Sequence, residues 1–179
     1  MQLLTGPEAV AWRDRARGAT LGSHLNIETD AELKVAPLRL RIDGSAPDVA
    51  GLAYMLAITG TPDYDEAKFP GAVLRLKRWE IWSESIDRAG HLLIDGIRSA
   101  ALVRRSIDEA PAIEFERGEF LAAHSALLIP MLFQWDAEFT LANGNFSLDI
   151  SHDGWVDAFT GVHTRRAALR ERFAEWLVK

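Results

Sequence analysis

Cysteine is absent from the 179-residue chain, which excludes a disulfide framework, a thiolate nucleophile, thiolate zinc sites and iron–sulfur ligation. A reducing compartment follows as the natural reading, so a cytoplasmic location is expected. Long apolar runs are missing too. The longest, Ala126 to Phe133, is interrupted by Pro130 and falls far short of the roughly 20 residues that cross a bilayer. The opening Met-Gln-Leu-Leu-Thr-Gly-Pro has no basic stretch and no apolar core, so neither a secretory leader nor a membrane partner is expected. The patterns GxGxxG, GxxxxGK[ST], HExxH and GxSxG do not occur, and no cofactor or metal is expected on that ground. Asp63-Tyr64-Asp65-Glu66 is acidic but lacks the glycine and closing glutamate of a calcium loop.

Positive charge is in short supply. The formal net charge is −6 and the sequence pI about 5.4, which argues against nucleic-acid binding, because that depends on a basic surface that releases counterions. The imbalance is local. From Ser106 to Thr160 ten acidic residues face one basic residue, Arg117, so that block carries −9 and the remainder +3.

What is present describes an ordinary globular chain: 48% hydrophobic residues, 26% charged, 13 Gly and 7 Pro. Its length suits one domain spanning 1–179, with enough buried surface to dispense with metals or disulfides. Thr5 and Glu8 have capping-box spacing before a short helix that buries Ala9, Trp12 and Ala16 and stops at Gly18. Leu38, Leu40 and Ile42 alternate with Arg39 and Arg41, the period of a half-buried strand over Leu33 to Ile42, which Pro37 marks as an edge or bulge. Ser45 and Asp48 cap a helix with a Val49, Leu52, Ala53, Leu56 stripe. Thr61 to Gly71 reads as a surface loop and Ala72 to Ser83 as a strand. In Glu84 to Arg105 the stripe Ile86, Ala89, Leu93, Ile97, Ala100, Ala101 favours a helix over a hairpin at Asp95-Gly96. A short strand over Ala112 to Glu116 and a helix over Glu119 to Phe133 follow.

The C-terminal third is the most regular. Trp135, Ala137, Phe139 and Leu141 alternate with polar residues, and Asn143-Gly144 supplies a two-residue hairpin turn. Phe146, Leu148, Ile150 and His152 repeat the pattern up to Asp153-Gly154, predicting a three-strand meander that ends over Trp155 to Thr160. Thr164 then caps a closing helix with Leu169, Phe173 and Trp176 inside. The fold class is therefore α+β, a mainly antiparallel sheet with a C-terminal three-strand meander and helices packed on one face.

Counting register through the two turns gives two constellations. The first places His152 opposite Trp155 and diagonal to Asp157, on the core side with Trp135, as a His–Asp acid–base pair in a Trp-walled pocket. Its bland reading is a packing histidine at the open end of a sheet. The second sets Glu138 opposite Asp149 on the outward face, with Asp136 and Asp153 nearby. Like charges directly opposite cost about 0.2–1 kcal/mol, a penalty that a basic partner would relieve and that a merely solvated acidic face would tolerate. Joined to the −9 block, the second constellation makes a noncatalytic binding domain the leading expectation. Its acidic face would dock a basic protein partner, as inhibitors of nucleic-acid-directed toxins do. A small enzyme built on His152 and Asp157 is the alternative.

Overall fold

The computed structural model describes residues 1–23, 37–42, 45–160 and 163–178. Its strands are β1 (Gln2–Leu4), β2 (Leu38–Arg41), β3 (Ala72–Arg78), β4 (Ala112–Phe115), β5 (Asp136–Leu141), β6 (Ser147–Ser151) and β7 (Trp155–Phe159). Its α-helices are α1 (Gly6–Ser23), α2 (Ala46–Thr59), α3 (Glu84–Arg98), α4 (Phe120–Leu132) and α5 (His163–Arg172). All strands join one open antiparallel sheet in the order β1-β4-β3-β5-β6-β7-β2. The α+β class and the C-terminal meander are as the sequence predicts.

Both capping boxes are present. The Thr5 amide donates to Glu8 Oε2 at 2.7 Å and the Glu8 amide returns to Thr5 Oγ1 at 3.4 Å; the Ser45 amide likewise donates to Asp48 Oδ2 at 2.8 Å. α1 does not stop at Gly18 but continues to Ser23, since glycine permits a helix end without imposing one. The first residues of the predicted Leu33 to Ile42 strand, 33–36, lie outside the described residues; the rest forms β2, with Leu38 and Leu40 buried and Arg39 and Arg41 exposed. Thr61 to Gly71 is a loop of two short 3₁₀ turns, pinned by the fully buried Phe69.

One sheet face carries the main core, where Leu74, Phe139, Leu148, Val156 and Leu40 meet α2, α4 and α5. The helices gather mainly on this face. α1 crosses the other one, packing Ala9 and Trp12 on Val73 and Ala112. That second contact explains why β3 shows no clean alternation: its residues are buried from both sides over most of its length.

α3 is helical as predicted but ends at Arg98, short of the predicted Arg105, and is turned the other way. Asp87, Gly90, Ile94 and Arg98 face inward, whereas Ile86 and Leu93 of the predicted apolar stripe are exposed. The reason lies in the partners. Asp87 accepts from the indole Nε1 of Trp135 at 3.0 Å and from the Trp82 amide at 2.9 Å. Arg98 donates to the carbonyls of Ala110, Arg105 and Ser106 at 2.7 to 2.9 Å. Buried polar groups fully met by such bonds hold an inward face that apolar periodicity assigns elsewhere.

His124 on α4 is half-buried, stacked on Phe120 and edge-on to Tyr54 at 5.5 Å. Burial holds its pKa below the ordinary value despite a hydrogen bond to the backbone of Ala50. The unfolded chain titrates at about 6.5, so the unfolded state binds the proton more readily and stability drops as pH falls from there toward the folded value. Urea midpoints at pH 7 and pH 5 should therefore fall further for the wild type than for His124→Phe. Equal drops would show that the fold does not hold this imidazole neutral.

Candidate functional site

The outward face of β3, β5, β6, β7 and β2 is built by alternation: wherever an apolar residue enters the core, its neighbours point away. Register then aligns those neighbours. Arg75 pairs with Glu138, Glu138 with Asp149, Asp149 with Asp157, and Asp157 with Arg39. One row across five strands thus reads Arg, Glu, Asp, Asp, Arg, with three carboxylates between two guanidiniums.

The predicted opposition of Glu138 and Asp149 is observed. Its repulsion is relieved within the chain. Arg13, reaching down from α1, donates from Nη1 to both Glu138 oxygens at 3.1 and 3.3 Å, and Arg75 adds a contact at 3.5 Å. Lys77, beside a register shift in β3, donates to Asp149 Oδ1. Arg39 makes a fork on Asp157, Nε to Oδ1 at 2.8 Å and Nη2 to Oδ2 at 2.7 Å, with its guanidinium 4.8 Å from the Trp155 ring centroid. Planar forks of this kind over an aromatic ring are a favoured way to seat a guanidinium.

Around the row lies an open depression of about 440 Å³, whose lining includes Asp149, His152, Trp155 and Asp157. The acids differ in what remains available: the side chains of Glu138 and Asp157 are 15% and 14% exposed, those of Asp149 and Asp153 49% and 53%. Asp136 accepts from both the amide and the ring Nδ1 of His152, each at 2.8 Å. Its partial burial favours the neutral acid, but these two bonds and the nearby Lys77 hold its pKa below the ordinary carboxylate value. The ionised Asp136 in turn fixes the imidazole proton on Nδ1.

His152 and Asp157 both line this depression, but they do not bond to each other as the register count expects. The second turn has three residues, not two: Ser151 pairs with Trp155, and His152, Asp153 and Gly154 form the loop, with Gly154 at φ 85 and its amide on the Ser151 carbonyl at 3.1 Å. One extra residue reverses the face of every side chain in β7. Asp157 therefore stands opposite Asp149 instead of diagonal to His152, and Trp155 points outward under Arg39. Trp135 is wholly buried, so the predicted pocket between Trp135 and Trp155 is replaced by two separate environments on opposite sides of the sheet. The predicted pairing is thus not made: His152 bonds to Asp136, and Asp157 to Arg39.

Four cations of the site, Arg13, Arg39, Lys77 and Arg75, escape the sequence reading. Arg39 was legible as an outward strand residue, but nothing local announces that β2 joins β7. Among the described residues no three acidic or histidine side chains converge as metal ligands. No known family model, curated protein or solved structure matches the chain.

Proposed function

We propose that the chain is a noncatalytic cytoplasmic binding domain that docks a basic protein partner on the outward face of β5, β6 and β7, as an immunity-type inhibitor docks its toxin. The observation that carries this reading is the fork of Arg39 on Asp157 above Trp155. An arginine already rests there, so the face has the geometry that a partner's guanidinium requires. Beside it, Asp149 and Asp153 keep about half their surface free.

The internal cations fit the same reading. The side chains of Arg39 and Lys77 are 48% and 32% exposed, and exposed ion pairs are worth only about 0–1 kcal/mol. A partner bringing its own arginines or lysines displaces them at small cost, while opposite charge steers the encounter and selects the partner. Glu138, gripped by Arg13 and Arg75, serves as a fixed anchor for the row and not as a contact.

Affinity capture from the source cells, followed by mass spectrometry, tests the proposal. Wild type should retain a protein with a basic patch, and Asp149→Lys/Asp153→Lys should bind that protein at least about tenfold more weakly, a difference of about 1.4 kcal/mol. Both positions are exposed, so the melting curve of the variant should stay close to wild type. Equal retention by the folded variant overturns the reading.

A further inference from the structure

The inward turn of α3 leaves an apolar surface that the described residues do not cover. Of the twelve large hydrophobic side chains that stay exposed among the described residues, six lie between Trp82 and Val103. On the helix itself these are Ile86 at 48%, Leu92 at 68% and Leu93 at 52% exposure. A single exposed leucine is ordinary, but several along one helix face mark an interaction surface. Gly96 shares that side. A Cβ added there meets nothing within 4 Å, so packing within the chain does not call for a glycine that costs an exposed helix roughly 0.5–1 kcal/mol relative to alanine. Close approach by another helix does call for one.

We infer that this face joins a second copy of the chain, as an antiparallel pair of α3 helices about a two-fold axis near His91 and Leu92. The charges specify a second copy over another protein. Arg88 and Asp95 are both exposed; seven residues apart, they lie on one flank of the helix, about 10 Å from each other. In a two-fold antiparallel pair, the flank of one helix meets the same flank of the other with its direction reversed. Arg88 of each copy then faces Asp95 of its mate, forming two ion pairs, while Leu92 and Leu93 meet at the centre. In a parallel two-fold pair opposite flanks meet instead, so Arg88 and Asp95 of the two copies would lie on opposite sides of the contact and form no pair. The contact is isologous, so it closes at the dimer and does not propagate.

Sedimentation equilibrium over a concentration series reads the outcome. Wild type should form a dimer. Arg88→Glu and Asp95→Arg should each weaken it by about tenfold or more, and the double variant Arg88→Glu/Asp95→Arg, which restores both pairs with signs exchanged, should return to near the wild-type association. Leu93→Glu should leave a folded monomer, with circular dichroism reporting the fold. A wild type that stays monomeric at every concentration, or a double variant as weak as the single ones, overturns the inference.

Discussion

Replacing Trp135 with alanine should lower the unfolding free energy by about 3–5 kcal/mol. The indole is fully buried and lies where three elements converge. Its Nε1 donates to Asp87 on α3, its ring lies 5.8 Å from Phe133 and 5.4 Å from His91, and Gly90 leaves room for it: a Cβ at that position would come within 2.5 Å of Trp135 Cζ2. Truncation opens a cavity and strands a buried carboxylate oxygen at once. Trp135→Phe separates the two contributions, since it keeps most of the volume and loses the hydrogen bond, and should cost about 1–3 kcal/mol. Urea unfolding with a common slope checks both numbers. A Trp135→Ala midpoint within 1 kcal/mol of wild type, by the usual conversion through the slope, would mean that α3 does not rest on the indole.

The second large effect belongs to Arg98. Its side chain is 3% exposed and its guanidinium holds three carbonyls of the segment that follows α3. Burial pulls its pKa down, with Asp95 opposing, yet arginine keeps its charge in proteins. Arg98→Met preserves length and apolar stem but leaves the carbonyls of Arg105, Ser106 and Ala110 without their donor. A loss of about 2–4 kcal/mol is expected, together with faster hydrogen exchange at the Ala110 amide, which bonds to the Ser106 carbonyl. Arg98→Lys should recover only part of it, because an ammonium lacks the planar fork that reaches separate carbonyls. Full recovery by lysine would reduce the site to a simple matter of charge.

These two residues also mark where sequence reasoning stops. Asp87 and Arg98 look like solvent-facing breaks in the periodicity of α3, and only their partners, 48 and 12 residues away in Trp135 and Ala110, reveal that they are inside. By contrast, the register of the first hairpin was legible, Phe139 opposite Leu148 and Glu138 opposite Asp149, although Ala142 bonds to Gly71 and not across to Asn145, so the loop is longer than two residues. Asn143-Gly144 marks the turn, where Gly144 takes φ 65, and the alternation on either side permits one register only. The second turn looked equally plain, but Asp153-Gly154 recruits His152 into a three-residue loop, and that one position turned Trp155 and Asp157 from core to surface. Half of the candidate site, the carboxylates of β5 and β6, was therefore legible. Its cations were not, since Arg13, Arg39, Arg75 and Lys77 arrive through pairings that no local pattern encodes.

The order of strands has a consequence for how the chain is made. β1 and β2 are synthesised before the strands they pair with and lie at the two edges of the sheet. Neither has a neighbour close in sequence: Leu4 pairs with Ala112 and Arg39 with Asp157, the latter 118 residues later. At about 5–20 residues per second, β2 waits on the order of 6–24 s for β7, its apolar Leu38 and Leu40 uncovered. The far side of β2 waits longer still, because the Arg41 amide and the Arg39 carbonyl are satisfied by Trp176 and Val178. β1, β4 and β3 are all made by Phe115 and have their partners before the meander exists, so of the two edge strands only β2 must wait for the C-terminal residues.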